Sequence, residues 1–329
     1  ARTRPGSVHA LPTDRYGPAP WRGYRVAGSQ AERDPQTQPR LLKTAMVTRK
    51  ALSRLGLSGT HMREILDGAS VAVILKMVGA LCSFLLYVLL SRMLGAAGVG
   101  LFFLGLTVAT ICSVIGRIGL DNGIMRFVAS ASASNQDAEM KNAYAVGSVL
   151  LLTGSALIAI ALFLGREWLS VRVFHKPDFG PIAGVFSLAV LPLAVSSFNG
   201  FALQGRKRTG EAVLVLNVLL PLLSIIAALV IVPRYGTLGA AWSYLIAAVS
   251  AAVISLYLWW RQAHNLRSLE SEWRWAEIVR TCLPLFWVSI FQLVIYWSPV
   301  LLLGMWWESE AVGIFGSAVR VAMLVSFVL

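Results

Sequence analysis

The sequence predicts an all-α fold, a polytopic transmembrane helical bundle of about eight spans. Three observations carry that prediction. The 329 residues are 57% hydrophobic and 14% charged, with mean hydropathy +0.68, whereas soluble domains carry about 45–50% apolar and roughly 25% charged residues. Apolar runs near or above the ~20 residues that cross a hydrocarbon core recur along the chain. Lysine and arginine gather in the N-terminal tail and the short connecting loops, as positive-inside topology requires.

Residues 1–67 are polar, basic and broken by Pro5, Pro12, Pro18, Pro20, Pro35 and Pro39. Such a stretch cannot bury enough apolar surface to offset ordering entropy, so it reads as a disordered cytoplasmic tail. It has no apolar core of a signal peptide. It is either a native arm or sequence upstream of a start at Met46 or Met62. Spans then follow at 69–94, 99–128, 143–164, 181–203, 211–232, 238–260, 278–305 and 311–329. The last runs to Leu329 with no terminating loop, so the chain reads as truncated inside a helix.

With the tail inside, the inner loops hold Lys141, then Arg206-Lys207-Arg208, then Arg261, Arg267 and Arg274; the outer loops hold Arg92, then Arg166, Arg172 and Lys176, then Arg234, and finally only Glu308 and Glu310. That loop bias is modest, and Arg40, Lys43, Arg49, Lys50, Arg54 and Arg63 on the tail strengthen it. The N-terminus is therefore read as cytoplasmic. The net charge of +13 does not point to nucleic acid, because no reader fold or aromatic-basic motif accompanies it. Cys82, Cys112 and Cys282 sit in apolar spans without C-x-x-C spacing, and the four histidines are scattered. No metal or cofactor is expected.

One internal repeat organises the spans. Val88-Leu89-Leu90 ends the first and Val99-Gly100-Leu101-Phe102 opens the second; Val300-Leu301-Leu302 ends the seventh and Val312-Gly313-Ile314-Phe315 opens the eighth. The copies stand six spans apart, which preserves orientation, as in parallel repeats about an axis along the membrane normal. On that repeat, 261–277, with Trp273 and Trp275 beside Arg274, links two halves along the cytoplasmic interface.

Depth separates the candidate residues. Taken as one helix from Val99, the second span puts Arg117 about 27 Å along its axis, near the inner boundary, with Asp121 and Arg126 beyond it at headgroup level. Arg117 and Asp121 are i and i+4 and can pair, either to seat the helix foot or as part of a charged ring at the cytoplasmic mouth of a pathway. Lys76, about 10 Å into the first span, either snorkels or faces a cavity. Arg320 lies roughly 14 Å past Ala311, near the midplane. Lipid exposure there costs a few kcal/mol or more, so it reads as lining a cavity.

Ser289, Gln292 and Tyr296 form a polar stripe on the seventh span; Ser196, Asn199 and Gln204 form a looser arc on the fourth. Each alone reads as an interhelical hydrogen bond, and with the intramembrane cations they lean towards a hydrated cavity. Pro192, Pro221 and Pro284 interrupt three helices as static kinks or hinges. No paired acids stand in an outer loop, and the longest, 165–180, is too short for a domain. An enzyme is not expected.

The run Arg92-x-Leu94-Gly95-x-x-Gly98-x-Gly100, followed by Gly119-Leu120-Asp121-Asn122 and Arg126-Phe127, resembles the polysaccharide and oligosaccharide flippases. These are the Wzx-like members of the multidrug/oligosaccharidyl-lipid/polysaccharide exporter superfamily. Gly205-Arg206-Lys207, Tyr235-Gly236-x-x-Gly239-Ala240-Ala241 and Val312-Gly313-Ile314-Phe315 fit the same pattern more loosely. The resemblance covers 69–329 and implies a two-lobed exporter of twelve or more spans, truncated here in the second lobe. It places a first six-helix lobe at 69–260, a cytoplasmic linker at 261–277 and two helices of a second lobe at 278–329.

It further implies a multi-pass protein of the bacterial inner membrane that flips an isoprenoid-linked glycan by alternating access, often with a coupling cation and beside other polysaccharide assembly proteins. A cationic cavity suits a pyrophosphate or an acidic sugar, so Arg320, Lys76 and Arg117 are the expected anion contacts. Many relatives carry an acid near the outer end of the seventh helix; this chain has Trp297-Ser298. Two rival classes stand beside this one. A drug or cation antiporter of the same fold should show cavity acids, and a membrane glycan polymerase or ligase should show a large catalytic outer loop.

Overall fold

The computed structural model describes residues 59–262 and 275–328, and the elements among them are helical. They are α1 (Gly59–Gly116), α2 (Leu120–Ala133), α3 (Asp137–Trp168), α4 (Phe179–Gly205), the short α5 (Thr209–Val213), α6 (Leu220–Gln262), α7 (Trp275–Trp306) and α8 (Ser309–Val328). A π-helical turn at Leu169–Val173 extends α3, and another at Leu214–Leu219 joins α5 to α6. From Arg63 on, the chain forms one compact unit.

Two continuous helical stretches are too long to cross once. Ser70–Gly116 has 47 residues and Thr209–Gln262 has 54, or roughly 70 and 80 Å of straight helix against a ~30 Å core. Both fold back at a glycine. Gly95 has φ 69 and ψ 178, and Gly236 has φ 55 and ψ −135, conformations nearly closed to residues with a Cβ. The rings of Tyr87 and Phe103 lie 5.4 Å apart, where sixteen residues of straight helix would part them by ~24 Å. Beyond Gly236, a Cβ at Gly239 would fall 2.9 Å from the Ile231 carbonyl oxygen, eight residues upstream. Among the described residues, five long apolar helices, two of them doubled back, give seven crossings, and the 20-residue α8 matches the eighth. A single glycine replaces each expected loop.

The second span departs from expectation. It is not one helix over 99–128: α1 ends at Gly116, and Ile118 and Gly119 take left-handed φ of 50° and 73° before α2 begins. The Leu120 N–H donates to the Arg117 carbonyl at 2.8 Å, closing the turn. Depths reckoned along one axis therefore stop at Arg117, and Asp121 and Arg126 belong to a separate helix. The outer loop expected at 165–180 shrinks to 174–178, because helix continues through Val173. Residues 59–67, read as tail, are helical in α1; the rest of the tail and most of the 261–277 linker lie outside the described residues.

Burial locates the centre. In α4, 72% of the most apolar stretch is buried, against 22% in α3, so α4 runs through the bundle and α3 leaves most of its apolar surface uncovered by protein. Two buried clusters stack along it. Leu86, Phe102, Phe103, Phe186 and Tyr244 pack at the end nearer Gly95. Ile124, Met140, Phe198 and Trp259 pack at the end nearer Gly205.

The two copies of the repeat meet face to face. A Cβ on Gly100 would collide with the Ser309 carbonyl, and a Cβ on Gly313 would collide with that of Ala96. Ala96 and Ser309 each stand four residues before their glycine, so the contact is reciprocal. A second pair obeys the same relation: Ser91 meets Ser317 at 3.5 Å between hydroxyls, and Gly304 meets the Leu104 side chain. An approximate two-fold axis therefore passes beside Gly100 and Gly313, as parallel repeats require.

Candidate functional site

A cavity of about 440 Å³ opens between the first half of α1, the π-turn ahead of α6, α7 and α8. Lys76, Ser83, Tyr87, Asn217, Tyr296 and Arg320 supply its polar lining. Among the described residues no carboxylate lines it, and its charged lining side chains are the two cations Lys76 and Arg320. Of the residues expected to line a cavity, Arg320, Lys76 and Tyr296 are brought together here.

Arg320 is held by rings. Its guanidinium carbon lies 4.2 Å from the Tyr87 ring centroid and 4.3 Å from that of Phe103, within cation–π range. Nη1 donates to the Gly316 carbonyl at 3.2 Å, while Nε is buried with no hydrogen-bond partner. A buried N–H left unsatisfied costs about 1–3 kcal/mol. Tyr87 and Phe103 stand eight residues either side of Gly95, so the folding-back that makes the hairpin also builds this clamp. The sequence reading missed both rings. The signal was present, since a hairpin at Gly95 pairs residues equidistant from it.

Asn217, solitary in the sequence, reaches the cavity because Gly79 admits the π-turn backbone. A Cβ at Gly79 would stand 2.5 Å from the Asn217 carbonyl oxygen. The other expected residues lie elsewhere. Arg117 Nε stands 3.1 Å from Asp121 Oδ2, with both side chains largely buried at the break between α1 and α2. That pair seats the helix foot and does not line the cavity. Asn199 is 1% exposed; it accepts from the Tyr144 hydroxyl at 2.8 Å and donates to Ser255 Oγ at 3.0 Å, tying α3, α4 and α6 together. Gln292 is exposed and outside the cavity lining. Ser289, which opens its stripe, bonds back to the Leu285 carbonyl. Arg126 is exposed on a groove near Gly205.

At the Gly95 end Lys176, counted in the sequence only as an outer-loop cation, closes the bundle. Its ammonium donates to the carbonyls of Gly304 at 2.6 Å and Trp307 at 2.9 Å, at the C-terminus of α7. A cation is favoured there because the last carbonyls lack partners and carry the negative pole. Burial lowers the pKa of this amine, and Glu308 nearby works against that shift. Ser170 Oγ fixes the loop by donating to the Lys176 carbonyl at 2.5 Å.

The profile of a family described as polysaccharide biosynthesis protein matches residues 65–329. No curated protein matches the chain. Among solved structures, MATE in complex with MaD3S is similar at TM-score 0.60 and 20% identity, covering 79% of this chain and 62% of that one. A MOP superfamily transporter from Pyrococcus furiosus, described as having a binding pocket of reverse polarity, is similar at TM-score 0.55 and 18% identity, covering 77% of this chain and 60% of that one. An outward-facing multidrug resistance MATE family transporter of the MOP superfamily gives the same values, 0.55 and 18%, over 77% and 60%. These likenesses show the fold, and this chain spans 60–62% of the length of those three.

Proposed function

This chain belongs to the polysaccharide biosynthesis protein family, and from that premise we propose that it flips a lipid-linked oligosaccharide across the bacterial inner membrane. The observation that carries the proposal is the cavity in which Arg320 and Lys76 face one space with no acid in its described lining. A pyrophosphate linker or an acidic sugar is the complement of that field. Arg320 Nε supplies an unsatisfied buried donor, and Tyr296 and Asn217 add hydroxyl and amide partners for sugar. A cation-exporting antiporter needs the opposite polarity. The neighbour described as having a reverse-polarity pocket supports the view that this scaffold serves cargoes of different charge.

Movement follows the repeat. In this reading 69–260 is one lobe and 278–329 opens the other, with the N-terminus cytoplasmic and 261–277 linking them. Rocking about the axis at Gly100 and Gly313 would expose the cavity to each side in turn. Trp297 lines the cavity where many relatives carry an acid, so no residue here is assigned to a coupling cation. Partner assembly proteins would receive the glycan at the outer face.

The test is complementation. The full-length gene is placed in a strain lacking its own exporter and surface polysaccharide is measured. Rescue is expected, and Arg320→Gln should cut export at least tenfold with unchanged membrane level. Absence of rescue in every glycan background tried, or full export by the variant, overturns the reading.

A further inference from the structure

A second basic recess lies at the far end of the bundle from Lys176, since the 27 residues of α4 carry the chain ~40 Å from Phe179 to Gly205. It is a groove of about 570 Å³ between the start of α2, the end of α4 and α7, and Asn122, Met125, Arg126, Gln204, Lys207 and Leu285 line it. Its charge has one sign: two cations and, among the described lining, no carboxylate. Two amides add hydrogen-bond donors. Met125, Ala129 and Leu285 give it an apolar wall.

The groove is constructed rather than left over between loops. Gly205 approaches α2 so closely that a Cβ would stand 2.7 Å from the Met125 carbonyl oxygen, which fixes the two helix ends against each other. Lys207 holds a left-handed φ of 62°, a conformation that residues with a Cβ rarely adopt, with its N–H donating to the Gln204 carbonyl at 3.0 Å. The three consecutive cations of this turn are divided. Arg206 turns away to the Gln262 carbonyl, and Lys207 faces the groove with Arg126. Positive-inside topology requires only a charge count; it does not require this division of labour.

The geometry points to a docking site for the phosphate of a membrane-anchored lipid, with Arg126 and Lys207 on its oxygens and the Met125–Leu285 wall against the first part of its hydrocarbon chain. Resting on the transport reading, this places the groove as the site where phosphate-linked cargo is held before it reaches the Arg320 cavity. Two cations at the rim of an open groove hold a phosphate through charge-assisted bonds, and the apolar wall separates a lipid from a free anion.

The experiment measures binding to the purified full chain in neutral detergent with three probes: a polyprenyl phosphate, the corresponding polyprenol and inorganic pyrophosphate. The wild type is expected to prefer the lipid phosphate over the alcohol by about tenfold or more. In an Arg320→Gln background, which removes the cavity's anion contact, Arg126→Gln with Lys207→Gln should abolish the preference that remains, and the exchange Arg126→Lys with Lys207→Arg should keep it. A drop on Arg320→Gln alone reads the cavity and the further drop on the groove variant reads the groove, so the two assignments fail separately. Retained preference in the double glutamine variant overturns the proposal. Pyrophosphate binding as tight as the lipid overturns the lipid assignment. Loss of polyprenol binding in the glutamine variant, absent in the exchange variant, would likewise count against it, because the apolar wall is untouched.

Discussion

Tyr87 and Phe103 pack their rings 4.2 and 4.3 Å from the Arg320 guanidinium, each contact worth about 0.5–2 kcal/mol. Tyr87→Leu is therefore expected to lower export several-fold, less than Arg320→Gln does, at unchanged membrane level; equal export by the Tyr87 variant and wild type would show that the ring does not position the arginine. Asn199 works differently. Its bonds to Tyr144 and Ser255 join three helices, and Asn199→Ala should cost about 1 kcal/mol of unfolding free energy in detergent, close to what interhelical bonds yield in membranes. The Arg117–Asp121 pair gives the sharpest contrast. Asp121→Asn alone strands a largely buried arginine and should destabilise by about 3 kcal/mol or more, whereas replacing both partners by apolar residues should be much milder. A double variant less stable than the single one would contradict that account.

At the scale of the helix, the turn at Gly95 and the cap at Lys176 set the same end of the bundle. Gly95→Ala forces a Cβ into φ 69 and ψ 178, at a cost of about 1–3 kcal/mol, and should reduce the yield of folded protein recovered from membranes. Lys176→Met removes the donor to the Gly304 and Trp307 carbonyls. Amides after Trp307 should then exchange hydrogen faster, while exchange at the Gly205 end stays unchanged. The span boundaries were legible because apolar runs broken by Gly95 and Gly236 allow few other readings. The break at 117–119 was not: the run stays apolar through it, and Ile118, a β-branched residue, gives no hint of a left-handed backbone. Depth alone pointed Arg320 to a cavity and left Lys76 between snorkelling and that cavity, which both residues line. The role of Lys176 could not be found, because its partners are backbone carbonyls more than a hundred residues away, which leave no trace in side-chain pattern.

For the molecule as a whole, the reciprocal contact decides what can move. Ser91 and Ser317 meet across the repeat with hydroxyls 3.5 Å apart. A Ser91→Cys, Ser317→Cys pair should close a disulfide under oxidant if the geometry there is near native, stop export, and release it again on reduction. Cross-linked protein that exports normally would show that the two halves do not part at this seam. The seam also has a history within each molecule. Its first half leaves the ribosome with Ala96 and Gly100, and its second waits until Ser309 and Gly313 have been made. At roughly 5–20 residues per second, that delay is on the order of 10–40 s. During that interval Gly100 stands without the Ser309 backbone that packs on it in the finished protein, so the wait before the seam can close is set by the chain length between two glycines.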